Sequence, residues 1–258
     1  MRSRVTDDGP WSEPPTRPEI APGDIHIWRI DLDRDVEDVC RLMRLLSPDE
    51  MARADRRCRG PVRDRFVVGR GTLRRVLGHY LGIGPELVAF RYGPRGKPAV
   101  EGTREGSPPQ FNLTHSRGIA LLAVTSGRRV GIDVEEVRPM PELERIVERF
   151  FSPRERGAFR SIPAPLKLAA FFRGWTRKEA FLKAIGEGLA MPLDHFDVSL
   201  SPGEPPRLLG VAGSPGEAAR WTLSDLDAAP GFFAAPGFFA ALAVEGPAGQ
   251  PRYFQTEI

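Results

Sequence analysis

Slid against itself by 105 positions, the chain comes into register without a gap. Ile25-His26-Ile27-Trp28-Arg29-Ile30 falls on Val130-Gly131-Ile132-Asp133-Val134-Glu135, strand pattern on strand pattern. Ser47-Pro48-Asp49-Glu50 falls on Ser152-Pro153-Arg154-Glu155, each a helix start with serine at N-cap, proline at N1 and glutamate at N3. Phe66, Gly69 and Leu77 fall on Phe171, Gly174 and Leu182, inside a second helix ending at Gly82-Ile83-Gly84 or Gly186-Glu187-Gly188. A hairpin pattern follows, Phe111–Ser116 then Ile119–Val124, answered by Arg220–Leu223 then Phe238–Val244. Strand, cap and helix agreeing at one offset point to duplication. The expected fold is α+β and α/β sandwich-like: two similar halves, residues 21–125 and 126–247, each a mainly antiparallel sheet with packed helices. Such halves pack about a pseudo-two-fold axis, which places the active site in the cleft between them. Residues 1–20, polar and proline-rich, read as a disordered N-terminal tail, and 248–258 as a C-terminal tail.

Where the halves differ, the chemistry is. Asp133 and Glu135 stand where the first half has Trp28 and Ile30, and Glu179 stands where it has Arg74. Two apart on a strand, Asp133 and Glu135 leave one face. Trp175, Glu179 and Lys183 share one stripe of a helix at i, i+4 and i+8. Three carboxylates beside a lysine make a hard-oxygen site suited to Mg²⁺ bound together with a phosphate-bearing substrate. Alone, Asp133 and Glu135 read as an acidic strand face, and Glu179 with Lys183 as a surface ion pair worth a few tenths of a kcal/mol. Arg53, Arg56, Arg57, Arg59, Arg63, Arg65, Arg70, Arg74 and Arg75 crowd one stretch of the first half. By themselves they read as a solvated helix face. Beside a carboxylate site they read as an anion-binding wall for a nucleotide phosphate, an acidic protein, or both.

Four motifs in order then carry a family resemblance: Gly96-Lys97-Pro98, Phe111-Asn112-Leu113-Thr114-His115-Ser116, Gly131-Ile132-Asp133-Val134-Glu135, and Trp175-Thr176-Arg177-Lys178-Glu179-Ala180 with Lys183. The chain resembles the 4′-phosphopantetheinyl transferases of the surfactin-synthetase-activating type, from about Asp24 to about Val244. The resemblance implies the same pair of α/β halves. It implies Asp133, Glu135 and Glu179 as Mg²⁺ ligands, with Lys183 and His115 contacting phosphates of coenzyme A. It sets Lys97 against the adenine nucleotide end and Arg53 and Arg65 on the 3′-phosphate. Thr114 stands where the family commonly has serine, so the hydroxyl survives. Glu50 stands where one well-studied member has lysine, so that contact is lost or taken over by a neighbouring arginine. Glu155 is read as a capping residue alone, and Trp175 as core.

Composition excludes other classes. At 258 residues, 41% hydrophobic and 28% charged, with formal charge +3, the chain has the balance of a soluble globular protein. Cys40 and Cys58 make neither a disulfide framework nor a zinc spacing, which suits a reducing cytoplasm. No apolar run approaches the ~20 residues of a membrane span. Aromatic residues do not interleave with the arginines as a nucleic-acid stacking platform needs. The reaction that the resemblance implies moves 4′-phosphopantetheine from coenzyme A to a serine of an apo acyl or peptidyl carrier protein, releasing adenosine 3′,5′-bisphosphate. Glu179, directly or through a metal-bound water, is the candidate base, with Lys183 and His115 stabilising charge. A two-half chain of this length resembles the broad-specificity type of that family, which implies a monomer serving polyketide or nonribosomal peptide synthases. Two alternatives remain at this point: a Mg²⁺-dependent nucleotide pyrophosphate hydrolase, and a silent protein that only binds coenzyme A or a carrier.

Overall fold

The computed structural model describes residues 11–56, 60–101, 108–186, 190–226 and 237–256. Its first part runs β1 (Ile25–Asp31), α1 (Val36–Met43), α2 (Pro48–Arg56), α3 (Pro61–Leu81), β2 (Phe90–Tyr92), β3 (Pro98–Val100), β4 (Pro109–Ser116) and β5 (Ile119–Ser126). The second repeats that succession as β6 (Val130–Glu136), α4 (Leu143–Phe150), α5 (Pro153–Arg160), α6 (Ala164–Ile185), β7 (Phe196–Val198), β8 (Leu208–Val211), β9 (Trp221–Asp225) and β10 (Phe238–Glu245). β11 (Arg252–Gln255) follows. The result is a mixed α+β protein in which the larger sheets have strand orders β11-β1-β5-β4 and β6-β10-β9, and β2-β3 and β7-β8 form short hairpins.

The layers follow from which faces are apolar. β1 sends Trp28 and Ile30 toward α3, where they pack with Val68, Leu73 and Leu77. It sends Ile25 and Ile27 the other way, onto Val130, Ile132 and Val134 of β6 and Leu242 and Val244 of β10. Ala241 and Ala243 of β10 then meet Ala180, Phe181 and Ala184 of α6. The order is therefore α3, first sheet, second sheet, α6. Strands covered on both faces lose the polar alternation, which is why β5 reads Ile-Ala-Leu-Leu-Ala-Val. Each fully buried Leu or Phe in these layers stabilises by about 1.5–3 kcal/mol.

α3 and α6 both end on a left-handed glycine, Gly82 (φ 64°) and Gly186 (φ 76°), the conformation glycine adopts without a Cβ penalty. α5 opens with the full capping box of Ser152 and Glu155. At α2 the Ser47 N–H donates to Glu50 Oε2, while the Ser47 hydroxyl turns to Asp49.

Two expectations need correction. To the otherwise antiparallel first sheet β11 adds a strand parallel to β1, His26 opposite Arg252 through Arg29 opposite Gln255. The segment read as a C-terminal tail is therefore a strand whose Phe254 is 1% exposed against Trp28 and His26. The tail expected over 1–20 is ordered at least at Trp11 and Ser12, where Ser12 N–H and Oγ both donate to Tyr253 O and Trp11 packs edge-on to Tyr253. The free edge of β1 offers unpaired backbone groups, and four residues with two aromatics are too short to announce themselves by period. The sequence carries Ala-Pro-Gly-Phe-Phe-Ala twice in succession, at 229–234 and 235–240; the first copy, which the sequence suggests as a loop with the second holding the strand, lies outside the described residues, and so do Arg57, Cys58, Arg59 and the expected helix end at Glu187-Gly188.

Candidate active site

β6 and α6 meet without intervening side chains, and this contact positions the site. A Cβ on Gly131 would lie 2.1 Å from Ala180 O and 2.3 Å from Ala184 N, so only glycine lets α6 rest on the strand. The next residue on that face is Asp133, and the helix residues flanking the contact are Glu179 and Lys183. Lys183 Nζ donates to Asp133 Oδ1 at 2.5 Å and to Thr114 Oγ1 at 3.0 Å, and the Thr114 hydroxyl donates to the same Asp133 oxygen at 3.1 Å. Thr114 reaches across because the edge strand β4 runs beside β6, where Asn112 Oδ1 accepts the Ile132 N–H at 2.9 Å.

Asp133 is 4% exposed, and its buried Oδ2 has no hydrogen-bond partner among the described residues. Burial pushes its carboxyl up to about 6, against the pull of Lys183 and with a further push from Glu179 and Glu135. Burial also raises Glu179, which Lys183 lowers and Glu135 raises. Glu135 is half-buried, accepting from Ser116 Oγ at 3.5 Å and pairing with Arg138 at 3.4 Å. Three carboxylates that feel one another's charge around an unsatisfied buried oxygen fit a divalent cation. They share one neighbourhood without forming a closed ligand set: among the described residues no three His, Cys, Asp or Glu side chains already converge as a metal site.

Several of the expected residues line two separate cavities. Lys97, Asn112, Glu179, Lys183 and Gly186 line one of about 300 Å³. His115, next along β4 from Thr114, lines another of about 410 Å³ with Leu32, Val62, Arg65, Phe66 and Arg117. Lys97 is spent largely within the protein: its ammonium donates to Val130 O at 3.1 Å and Ala184 O at 2.8 Å, and burial lowers its pKa to about 8. Arg65 makes a two-pronged pair with Asp33 at 2.6 and 3.0 Å. Arg53 lies over the Tyr92 ring, 5.3 Å from its centroid.

The arginine-rich stretch is in part structural. Glu50, 1% exposed, accepts from Arg70 and from Arg74 at 2.6 Å, and Arg74 also donates to the carbonyls of Pro85, Glu86 and Val88. Glu155 likewise does more than cap: Lys178 Nζ at 2.7 Å and Val198 N–H at 2.8 Å both donate to its Oε1. Trp175 packs on Phe150 and Phe171, as expected of a core residue. Asn112, Gly131, Arg177 and Lys178 stand inside the sequence motifs, which by themselves assign them no role. Gly131 carried a legible signal, a glycine inside an apolar strand, which marks close backbone approach.

The sequence profile described as the 4′-phosphopantetheinyl transferase superfamily matches residues 129–234. The 4′-phosphopantetheinyl transferase HetI of Nostoc sp. is 41% identical over 244 residues, 95% of this chain and 97% of that protein. The 4′-phosphopantetheinyl transferase Sfp of Bacillus subtilis is 29% identical over 176 residues, 67% of this chain and 76% of that one. AcpT of Salmonella typhi, a 4′-phosphopantetheinyl transferase, is 36% identical over 141 residues, 55% and 68%. With an acid-lined β6–α6 contact and near-complete coverage of such a relative, the chain belongs to the 4′-phosphopantetheinyl transferase superfamily and is an enzyme of that class.

Proposed function

We propose that the protein transfers the 4′-phosphopantetheine moiety of coenzyme A to a serine of an apo acyl or peptidyl carrier protein, releasing adenosine 3′,5′-bisphosphate, and that it requires Mg²⁺. The observation that carries this reading is the unpartnered, buried oxygen of Asp133 beside Glu135 and Glu179, in a chain that aligns with a phosphopantetheinyl transferase over nearly its full length. Asp133, Glu135 and Glu179 would hold the ion. When bound, Mg²⁺ neutralises pyrophosphate charge and orients the leaving group.

The other roles belong to side chains. Glu179, made more basic by burial, takes the proton of the carrier serine as its Oγ attacks the β-phosphorus. A phosphate ester bond forms, the anhydride bond breaks, and the electron pair leaves with adenosine 3′,5′-bisphosphate. Lys183 and His115 stabilise charge developing on the phosphates. Arg53 and Arg65 bind the 3′-phosphate, and Lys97 and Thr114 complete the coenzyme A site. In this reading the recurring element order reflects a duplication, with halves related by a pseudo-two-fold axis and the ligands in the cleft between them. The working form is a cytoplasmic monomer serving polyketide or nonribosomal peptide synthases. No described helix is long and apolar enough to cross a membrane.

Intact mass of an apo carrier incubated with enzyme, coenzyme A and Mg²⁺ tests this. Gain of one phosphopantetheine per carrier supports it. Cleavage of coenzyme A without transfer identifies a hydrolase, and binding without either reaction identifies a silent binder.

A further inference from the structure

Three consecutive residues of α6 point in three directions, and the first two are held by buried partners. Arg177 makes a two-pronged pair with Asp225 of β9 at 2.8 and 2.6 Å and donates to Ser199 O at 2.6 Å. Lys178, 0% exposed, donates to Glu155 and to Phe196 O, each at 2.7 Å. Glu179 faces the cavity that contains Lys183. A helix lying on apolar layers is free to roll slightly, because apolar contact is non-directional. Two anchored cations side by side remove that freedom.

The first half shows what the second gave up. At the 105-residue register Glu50 corresponds to Glu155, Arg74 to Glu179 and Leu73 to Lys178. In the first half the buried glutamate is held from the longer helix by Arg70 and Arg74, whose register counterparts are Trp175 and Glu179. In the second half the Arg74 position is the site carboxylate Glu179, and the cation for the buried glutamate comes from one residue earlier. Replacing Arg74's counterpart by an acid would strand Glu155 as an uncompensated buried charge, and Lys178 removes that penalty.

We propose that Lys178, through Glu155, is a positioning residue: it sets the roll of α6 and so aims Glu179 into the site, its own charge never touching substrate. Stability is a poor reason for keeping such a pair, since buried ion pairs can often be replaced by apolar residues at little cost. This inference rests on the transferase reading for its kinetic consequence but not for its geometry.

The test therefore has two readouts on the paired variant Glu155→Gln/Lys178→Met, which removes both charges, keeps a capping glutamine and keeps the lysine's stem volume. The first is transfer kinetics at a temperature where the variant is folded: kcat is expected to fall about tenfold or more, with KM for coenzyme A within about threefold. The second is independent of activity. In a chain carrying Cys40→Ser and Cys58→Ser, the thiol introduced by Glu179→Cys is alkylated, with and without the paired change. Its rate is expected to change severalfold, because position 179 no longer faces the same cavity. Wild-type kcat and an unchanged alkylation rate in a folded paired variant overturn the proposal. If wild type fails to transfer at all, the transferase reading falls, and the alkylation rates alone decide whether the pair aims Glu179.

Discussion

Gly131→Ala tests the central geometric claim, that the site exists because α6 lies directly on β6. The added methyl would sit 2.1 Å from Ala180 O and 2.3 Å from Ala184 N, where ordinary contact begins at 3.4 Å. Both atoms are helix backbone, so no side chain can turn away to make room. The helix has to move out by about 1.3 Å, the gap between 2.1 and 3.4 Å. Overpacking of this kind costs typically 1–3 kcal/mol of stability. Ala180 and Ala184 neighbour Glu179 and Lys183, so the displacement is handed to the site, and a ~1 Å misplacement is enough to cost about 10²-fold in rate. Guanidinium unfolding and kcat for carrier modification, measured on the same preparation, supply both numbers. Gly157→Ala in α5 is the control: none of the described residues comes within 4 Å of a Cβ there, and alanine should raise helix stability by up to about 1 kcal/mol with kcat unchanged. If Gly131→Ala melts like wild type and keeps its kcat within about twofold, the contact does not position the site.

Three further outcomes are expected. Asp133→Ala and Glu179→Gln should each abolish transfer in saturating Mg²⁺ while leaving a folded protein, read by circular dichroism and carrier mass; near-wild-type activity removes that residue from the mechanism. Arg53→Ala and Arg65→Ala should raise KM for coenzyme A far more than they lower kcat, and should match wild type with dephospho-coenzyme A; equal losses on both substrates refute a 3′-phosphate role. His26, 0% exposed with Nδ1 on Tyr80 Oη at 2.7 Å, is lowered by burial from 6.5 to about 4. Its contribution is complete above pH 6.5 and lost as pH falls toward 4, at most about 3 kcal/mol, so urea unfolding of wild type should weaken across that window more steeply than that of His26→Phe; parallel pH profiles would exclude His26 as the cause.

What local period could reveal was legible before any coordinates. The alternation of Val130, Ile132 and Val134 marked β6 and set Asp133 on the opposite side, and Ser152 with Glu155 marked the start of α5. The 105-residue register also anticipated the recurring order of strands and helices. These are short-range statements, because side-chain period and capping depend on residues a few positions apart. Partner choice is different. Nothing local says that Lys97 would cap the α6 carbonyl of Ala184, that Arg65 would turn to Asp33, or that β11 would close the first sheet. At the register position of Gly131 the first half has His26, bonded to Tyr80 of α3, while Gly131 lets α6 close on bare backbone. The sequence by itself determined which residue types were present and which face of each element they took. Only the tertiary structure decided which distant charges met, since burial makes each buried ion seek whatever partner packing brings within reach.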